Sequence, residues 1–187
     1  MSQQRPDPED RRDWRRAVTA VAEAIRSGRL GTGETADLRR LDPEDPGSAA
    51  YWHALARLVE PRDSGPAGEG DARLRWERQW AVILAGMARL PHQAGRSLGR
   101  SLAGSGFHEL RLRRLLRADG ARLWDELRAA IQFLANRWDG VDWSEVAELI
   151  LADPAFYPDW AQRVRRRVAR AYFSHQGVET DKDAKEP

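Results

Sequence analysis

Apolar residues recur at three- and four-residue spacing along almost the whole chain, and two-residue alternation is nearly absent. That period lines one face of an α-helix and cannot line one face of a strand. The expected fold class is therefore all-α, a multi-helix bundle of about eight or nine helices. Two packed helical subdomains, 1–90 and 91–175, account for the pattern, with 176–187 as a charged, disordered tail. At 187 residues such a chain can bury roughly 70% of its unfolded surface, so it needs no covalent or metal staple.

The punctuation supports this division. Asp7-Pro8, followed by Glu9 and Asp10, reads as an N-cap with proline and acids in the first turn. The helix after this cap buries Trp14, Val18, Val21 and Ile25 and stops at Gly28. Short helices are expected over 34–41 and 48–59, the second carrying Tyr51, Trp52, Leu55 and Leu58. Segment 60–71, EPRDSGPAGEGD, has no apolar anchor larger than alanine and reads as a flexible loop. A strong helix over 73–89 aligns Trp76, Trp80, Ile83, Leu84 and Met87, and Pro91 ends it.

Further on, Leu98 and Leu102 anchor a short helix, and Leu112, Leu115 and Leu116 mark the next. Leu123, Leu127, Ile131, Leu134 and Trp138 form a long stripe. Asp142 with Glu145 three residues later has the spacing of a capping box ahead of Val146, Leu149 and Ile150. The last helix, 158–173, turns Trp160, Val164, Val168 and Tyr172 inward. Most of the eight tryptophans fall on these stripes, so packing explains them better than base stacking does; Trp52 and Trp143 are less clear.

The charge pattern is unusual in kind more than in amount. The chain carries 31 lysines plus arginines, all arginine except Lys182 and Lys185, for a net charge of only +2. GC-rich coding accounts for much of the arginine number but not for its placement. Between residues 89 and 128, nine arginines stand against four acids, Glu109, Asp119, Asp125 and Glu126. On a helical wheel Arg111, Arg113, Arg114 and Arg117 surround the Leu112/Leu115/Leu116 side, and Arg163, Arg166, Arg167 and Arg170 make one stripe. Arg39 with Arg40, and Arg96 with Arg100, add shorter pairs. Arginine offers a planar donor fork that matches phosphate bidentately, so these faces form an electrostatic footprint for nucleic acid. From charge alone, a solvated face laced with internal ion pairs reads equally well.

Catalytic and metal chemistry has no foothold in the pattern. There is no cysteine, which fits a reducing compartment and removes disulfides and thiolate metal sites. His53, His92, His108 and His175 have no paired metal spacing, and no phosphate-cradling glycine loop is present. Ser97, Ser101 and Ser105 lie near His108 in sequence, which is no evidence of a triad. The expected protein is non-catalytic, with no cofactor and no metal. The polar N-terminus and the lack of a long apolar run point to the cytoplasm.

Four segments, in order, are more specific. SLGRSLAGSG (97–106), LLRAD (115–119), ELRAAIQFLA (126–135) and VDWSEVAELIL (141–151) resemble the small subunit of the type I-E CRISPR Cascade complex, the CasB family. ADLRRL (36–41) matches weakly, and RVRRRVARAYF (163–173) also suits that family. The resemblance implies a non-enzymatic helical subunit, present as two copies in a guide-RNA complex against its backbone and large subunits. It further implies that basic residues stabilise the target-DNA R-loop and its displaced strand.

That role carries onto Arg100, Arg111, Arg117 and Arg128, and less securely onto Arg39 and Arg40. Arg96, Arg114, Arg166 and Arg170 join from charge and position. Base pairing with the guide supplies sequence specificity in such complexes, so no base-reading motif is expected. The loop at 60–71 and the longer acidic tail depart from shorter relatives. The alternative reading is a free-standing helical DNA-binding regulator, for which the helix–Gly-Ser-Gly–helix junction at 103–108 is the only opening.

Overall fold

The structure, a computed structural model, describes residues 13–66, 68–137 and 140–183, with side chains at 14–66, 68–137 and 140–176. Nine α-helices succeed one another among these residues: α1 (Asp13–Arg26), α2 (Thr32–Arg40), α3 (Ala49–Ala54), α4 (Asp71–Met87), α5 (Leu98–Gly104), α6 (Glu109–Arg117), α7 (Gly120–Ala135), α8 (Trp143–Leu151) and α9 (Pro158–Asp183). The nearest approach to a sheet among them is one parallel bridge between His92 and Val141. None of the described helices is long and apolar enough to cross a membrane. The proposed cap at Asp7-Pro8 and the stripe residue Trp138 lie outside the described residues. The chain divides into two units, Met1–Leu84 and Ala85–Pro187, so the division falls inside α4 and ahead of residue 90.

In the first unit, Trp14, Val18, Val21, Leu38, Tyr51, Leu55, Val59, Trp76 and Trp80 are buried. The 48–59 stretch is not one uniform helix. Ser48 caps α3 by accepting from the Tyr51 N–H, 3.2 Å away. After Ala54 the backbone widens into a π-helical turn, Leu55–Val59, in which the Glu60 N–H reaches Leu55 O at 2.9 Å. The wider turn re-aims the chain beyond it. Leu55 and Val59 both face the core, and Trp52 stays 44% exposed.

Segment 60–71 is anchored by a carboxylate rather than by an apolar side chain. Asp63 Oδ2 accepts the indole N–H of Trp76 at 3.1 Å and of Trp80 at 3.2 Å. Arg73 donates to Ser64 O at 2.9 Å and pairs with Glu60 and Glu77. Its guanidinium also lies 4.4 Å from the Trp76 ring centroid. Burial alone would lower the Arg73 pKa, but the hydrogen bonds it donates to Glu77 and Glu60 outweigh it and hold that pKa above its ordinary value. Asp63→Ala would orphan two indole donors, at about 1–3 kcal/mol in total. The expected result is an earlier melt with red-shifted tryptophan fluorescence.

The second unit is built on the α5–α9 crossing. Leu98, Leu102, Leu112, Leu115, Leu127, Leu134, Val164, Val168 and Tyr172 are all fully buried. Tyr172 Oη donates to Phe107 O and so ties α9 to the turn between α5 and α6. Phe107 in turn meets Phe133 of α7 edge-on, with ring centroids 5.1 Å apart. Trp143 is buried, and its indole donates to Leu90 O at 2.9 Å.

The capping box expected at Asp142 forms only by half. Asp142 Oδ1 accepts from the Ser144 N–H at 2.9 Å. Glu145 turns away from the Asp142 backbone and instead accepts from the Leu98 N–H at 2.5 Å. The carboxylate thus satisfies an orphan donor at the start of α5, on a different helix. The α9 backbone remains helical to Asp183, past Phe173 and into the expected tail. No proline interrupts it before Pro187, and Gly177 costs a helix interior only about 1 kcal/mol.

Candidate nucleic-acid interface

The arginine faces arise because each helix commits one apolar stripe inward: Leu112 and Leu115 on α6, Val164, Val168 and Tyr172 on α9. In α6 the burial of Leu112 and Leu115 leaves Arg111, Arg113, Arg114 and Arg117 exposed, as the 3.6-residue period requires. His108 caps this helix, its Nδ1 accepting from the Leu110 N–H at 3.2 Å. In α9, positions 163, 166 and 170 fall opposite Val164, Val168 and Tyr172, and all three arginines are exposed.

Every residue singled out for nucleic-acid binding is exposed: Arg39 and Arg40 in the last turn of α2, Arg96 before α5, Arg100 on α5, Arg111, Arg114 and Arg117 on α6, Arg128 on α7, and Arg166 and Arg170 on α9. All but the α2 pair belong to the Ala85–Pro187 unit. Their electrostatic states differ. Arg114 is matched within the chain, donating twice to Glu126 Oε1 at 3.0 and 2.6 Å. Arg96 holds Gln93 Oε1 at 3.1 Å. Among the described residues, Arg100, Arg111, Arg117, Arg128, Arg166 and Arg170 make no ion pair with an acid.

Arg167 leaves the stripe expected on α9. It reaches across to α8, where Glu148 Oε2 lies 2.5 Å and Glu145 Oε1 3.5 Å away. Glu148 is buried and also accepts the Trp160 indole N–H at 3.1 Å. Burial would lower the Arg167 pKa, but the Glu148 hydrogen bond and the two carboxylate charges hold it above the ordinary value. Arg165 likewise turns to Ala118 O and Asp119. These two arginines are structural, whereas their neighbours face solvent.

Two exposed apolar residues accompany the cations and escaped the sequence reading. Leu110 on α6 is 61% exposed and Phe173 on α9 is 45% exposed. On the wheel Leu110 sits with Arg114 and Arg117, and Phe173 sits with Arg166, on the outward faces. Departure from the buried leucine register was the available signal.

Ser101, His92 and His53 make contacts within the fold. Ser101 Oγ donates to Gly140 O at 3.3 Å, and His92 Nδ1 accepts from the Trp143 N–H at 3.1 Å. His53 contacts Glu34 at 3.3 Å. α6, the helix that would have to read bases in a helix-turn-helix, opens on Glu109, an acid paired with Arg113.

The sequence profile of the CRISPR-associated protein Cse2 matches residues 34–173. The chain belongs to the Cse2 family. No protein with a curated description matches it. The fold of this Cse2 chain is similar to a chain in the crystal structure of E. coli Cascade bound to a PAM-containing dsDNA target. Identity there is 21%, the TM-score is 0.63, and the match covers 86% of this chain and 96% of that one. It is also similar to M. ruber CasB, at 21% identity and a TM-score of 0.59, over 89% of this chain and 98% of that one.

Proposed function

We propose that this Cse2 chain is the non-catalytic small subunit of a type I-E Cascade complex and grips nucleic-acid backbone through arginine. In that setting it packs against the guide-bearing backbone subunits, the large subunit and a second copy of itself, and it stabilises the R-loop and displaced strand of target DNA. The observation that carries the reading is the set of exposed arginines without acid partners, Arg100, Arg111, Arg117, Arg128, Arg166 and Arg170, on a member of the Cse2 family. Arg39 and Arg40 belong to the same role in the other unit. Arg96 and Arg114, though engaged within the chain, remain exposed enough to exchange partners.

Backbone contact of this kind is independent of sequence and strongly salt-dependent. Each single-strand phosphate contact adds about −0.7 to the slope of log K against log salt. The test is R-loop retention by a reconstituted complex carrying Arg111→Glu with Arg117→Glu. Both residues are exposed, so melting of the subunit is expected to stay unchanged while R-loops dissociate roughly tenfold faster. Unchanged retention with intact assembly would remove the arginine-grip reading.

A further inference from the structure

Packing accounts for the aromatic side chains of the Ala85–Pro187 unit with one exception. Among its described residues Phe173 is the one aromatic ring that is exposed, at 45%. The buried stripe of α9 runs through Val164, Val168 and Tyr172. Phe173 falls on the other side of the helix, about 20° around the wheel from Arg166 and about 60° from Arg170. Arg166, Arg170 and Phe173 thus follow one another along a single exposed face.

The surroundings of the ring leave it open. Tyr172 meets it edge-to-face, with centroids 5.2 Å apart and ring planes at 83°. Whichever ring presents its edge, that contact leaves at least one face of Phe173 uncovered. The α9 positions one turn away are Ala169 and Arg170 on one side and Gln176 and Gly177 on the other. Alanine and glycine are too small to cover a ring, and Gln176 donates to Tyr172 Oη at 2.9 Å. Tyr172 is itself fully buried and bonded to Phe107 O, so the ring beside it projects from a backbone that packing holds still.

We propose that Phe173 is a stacking platform for the base of an unpaired nucleotide, with Arg170 and Arg166 holding the phosphates of the same strand. The inference rests on the backbone grip proposed for those two arginines and adds a preference for single strand to it. Base faces are hidden by their neighbours in a duplex and open in an unpaired strand, and every base offers a π-face, so the preference is for strandedness and not for sequence. Arg170 lies about 4.5 Å and Arg166 about 10.5 Å along the helix axis from Phe173, so a strand running along α9 meets the ring and both cations in succession. Charge favours this occupant: among the described residues neither arginine makes an ion pair with an acid. A protein anchor would sit among contacts that seal it from water, whereas this ring stands beside cations, alanine and glycine.

The experiment is binding of the full chain to labelled oligothymidylate, and to the same oligomer in a duplex with oligoadenylate, across a salt series. Phe173→Ala should weaken single-strand binding roughly tenfold. Its salt slope and duplex affinity should stay unchanged, because no phosphate contact is lost. Phe173→Trp should restore the affinity. Phe173→Leu keeps apolar bulk without a π-face, so it should not, and it stands in if the alanine variant melts early. Arg166→Glu/Arg170→Glu should instead flatten the single-strand slope by about 1.4 and weaken binding of both ligands. A flattened slope in the arginine pair beside a leucine variant that binds like the natural chain overturns the stacking role and leaves the backbone grip standing. The reverse pattern supports the ring and removes the grip from α9. An unsubstituted chain that does not bind oligothymidylate overturns the inference, while R-loop retention by the assembled complex still tests the grip by itself. Equal losses on single strand and duplex would overturn the single-strand assignment. Variants that keep oligothymidylate affinity but lose assembly with a second copy or with partner subunits would overturn it in favour of a protein contact.

Discussion

Trp143→Ala is expected to cost about 3–5 kcal/mol, the usual penalty for emptying a large aromatic site in a core. Trp143 is fully buried, and its indole is the donor to Leu90 O, so truncation opens a cavity and strands a carbonyl together. The site also makes a sharper prediction about its neighbour. A Cβ on Gly86 would lie 2.2 Å from Trp143 Cη2, so Gly86→Ala is destabilising in the natural chain. With Trp143 removed, the same substitution fills vacated space and gains about 1 kcal/mol of helix propensity. Urea titrations of the two single variants and the double variant measure the coupling. Additive losses would show that Gly86 and Trp143 do not constrain one another.

Gly99→Ala is the second large effect. A Cβ there would stand 2.3 Å from Val168 O and 2.8 Å from Tyr172 N. Both atoms are α9 backbone, which cannot rotate aside as a side chain can. The helix axes must therefore separate, and overpacking of this kind costs roughly 1–3 kcal/mol or more. The propensity gain of about 1 kcal/mol offsets only part of that, and Gly99→Val should lose more than Gly99→Ala. The order Gly, Ala, Val in melting temperature checks the account. An alanine variant as stable as the natural chain would mean that α5 and α9 do not approach so closely.

Both glycines and the tryptophan bear on the motif that pointed to the family. Within SLGRSLAGSG, Leu98, Ser101 and Leu102 are buried and Gly99 is the crossing point, while Arg100 alone carries an exposed charge. Within VDW, Val141 and Trp143 are core, and Asp142 caps α8 while also accepting the Gly95 N–H at 2.8 Å. Within LLRAD, Leu115 and Ala118 are buried, Ala118 O and Asp119 receive Arg165, and Arg117 faces out. The recognisable letters are mostly packing letters. The candidate binding residues lie between them, which explains why a motif could name the family while leaving the interface to be argued from charge.

What the sequence by itself determined was periodic and local. Helical class, the inward leucines of α6 and α7, and the outward arginines of α6 and α9 all follow from the 3.6-residue repeat, because the face a residue occupies depends only on its own helix. Tertiary structure alone decided which charges are spent inside the protein. Arg167 and Glu148 are nineteen positions apart, Arg165 and Asp119 forty-six, and Leu98 and Glu145 forty-seven; no helical period relates them. The same holds for Asp63, whose two tryptophan donors sit thirteen and seventeen positions away. A charge on a helix face is solvated or paired according to what the fold brings opposite it, and that depends on chain closure between distant segments rather than on the local repeat.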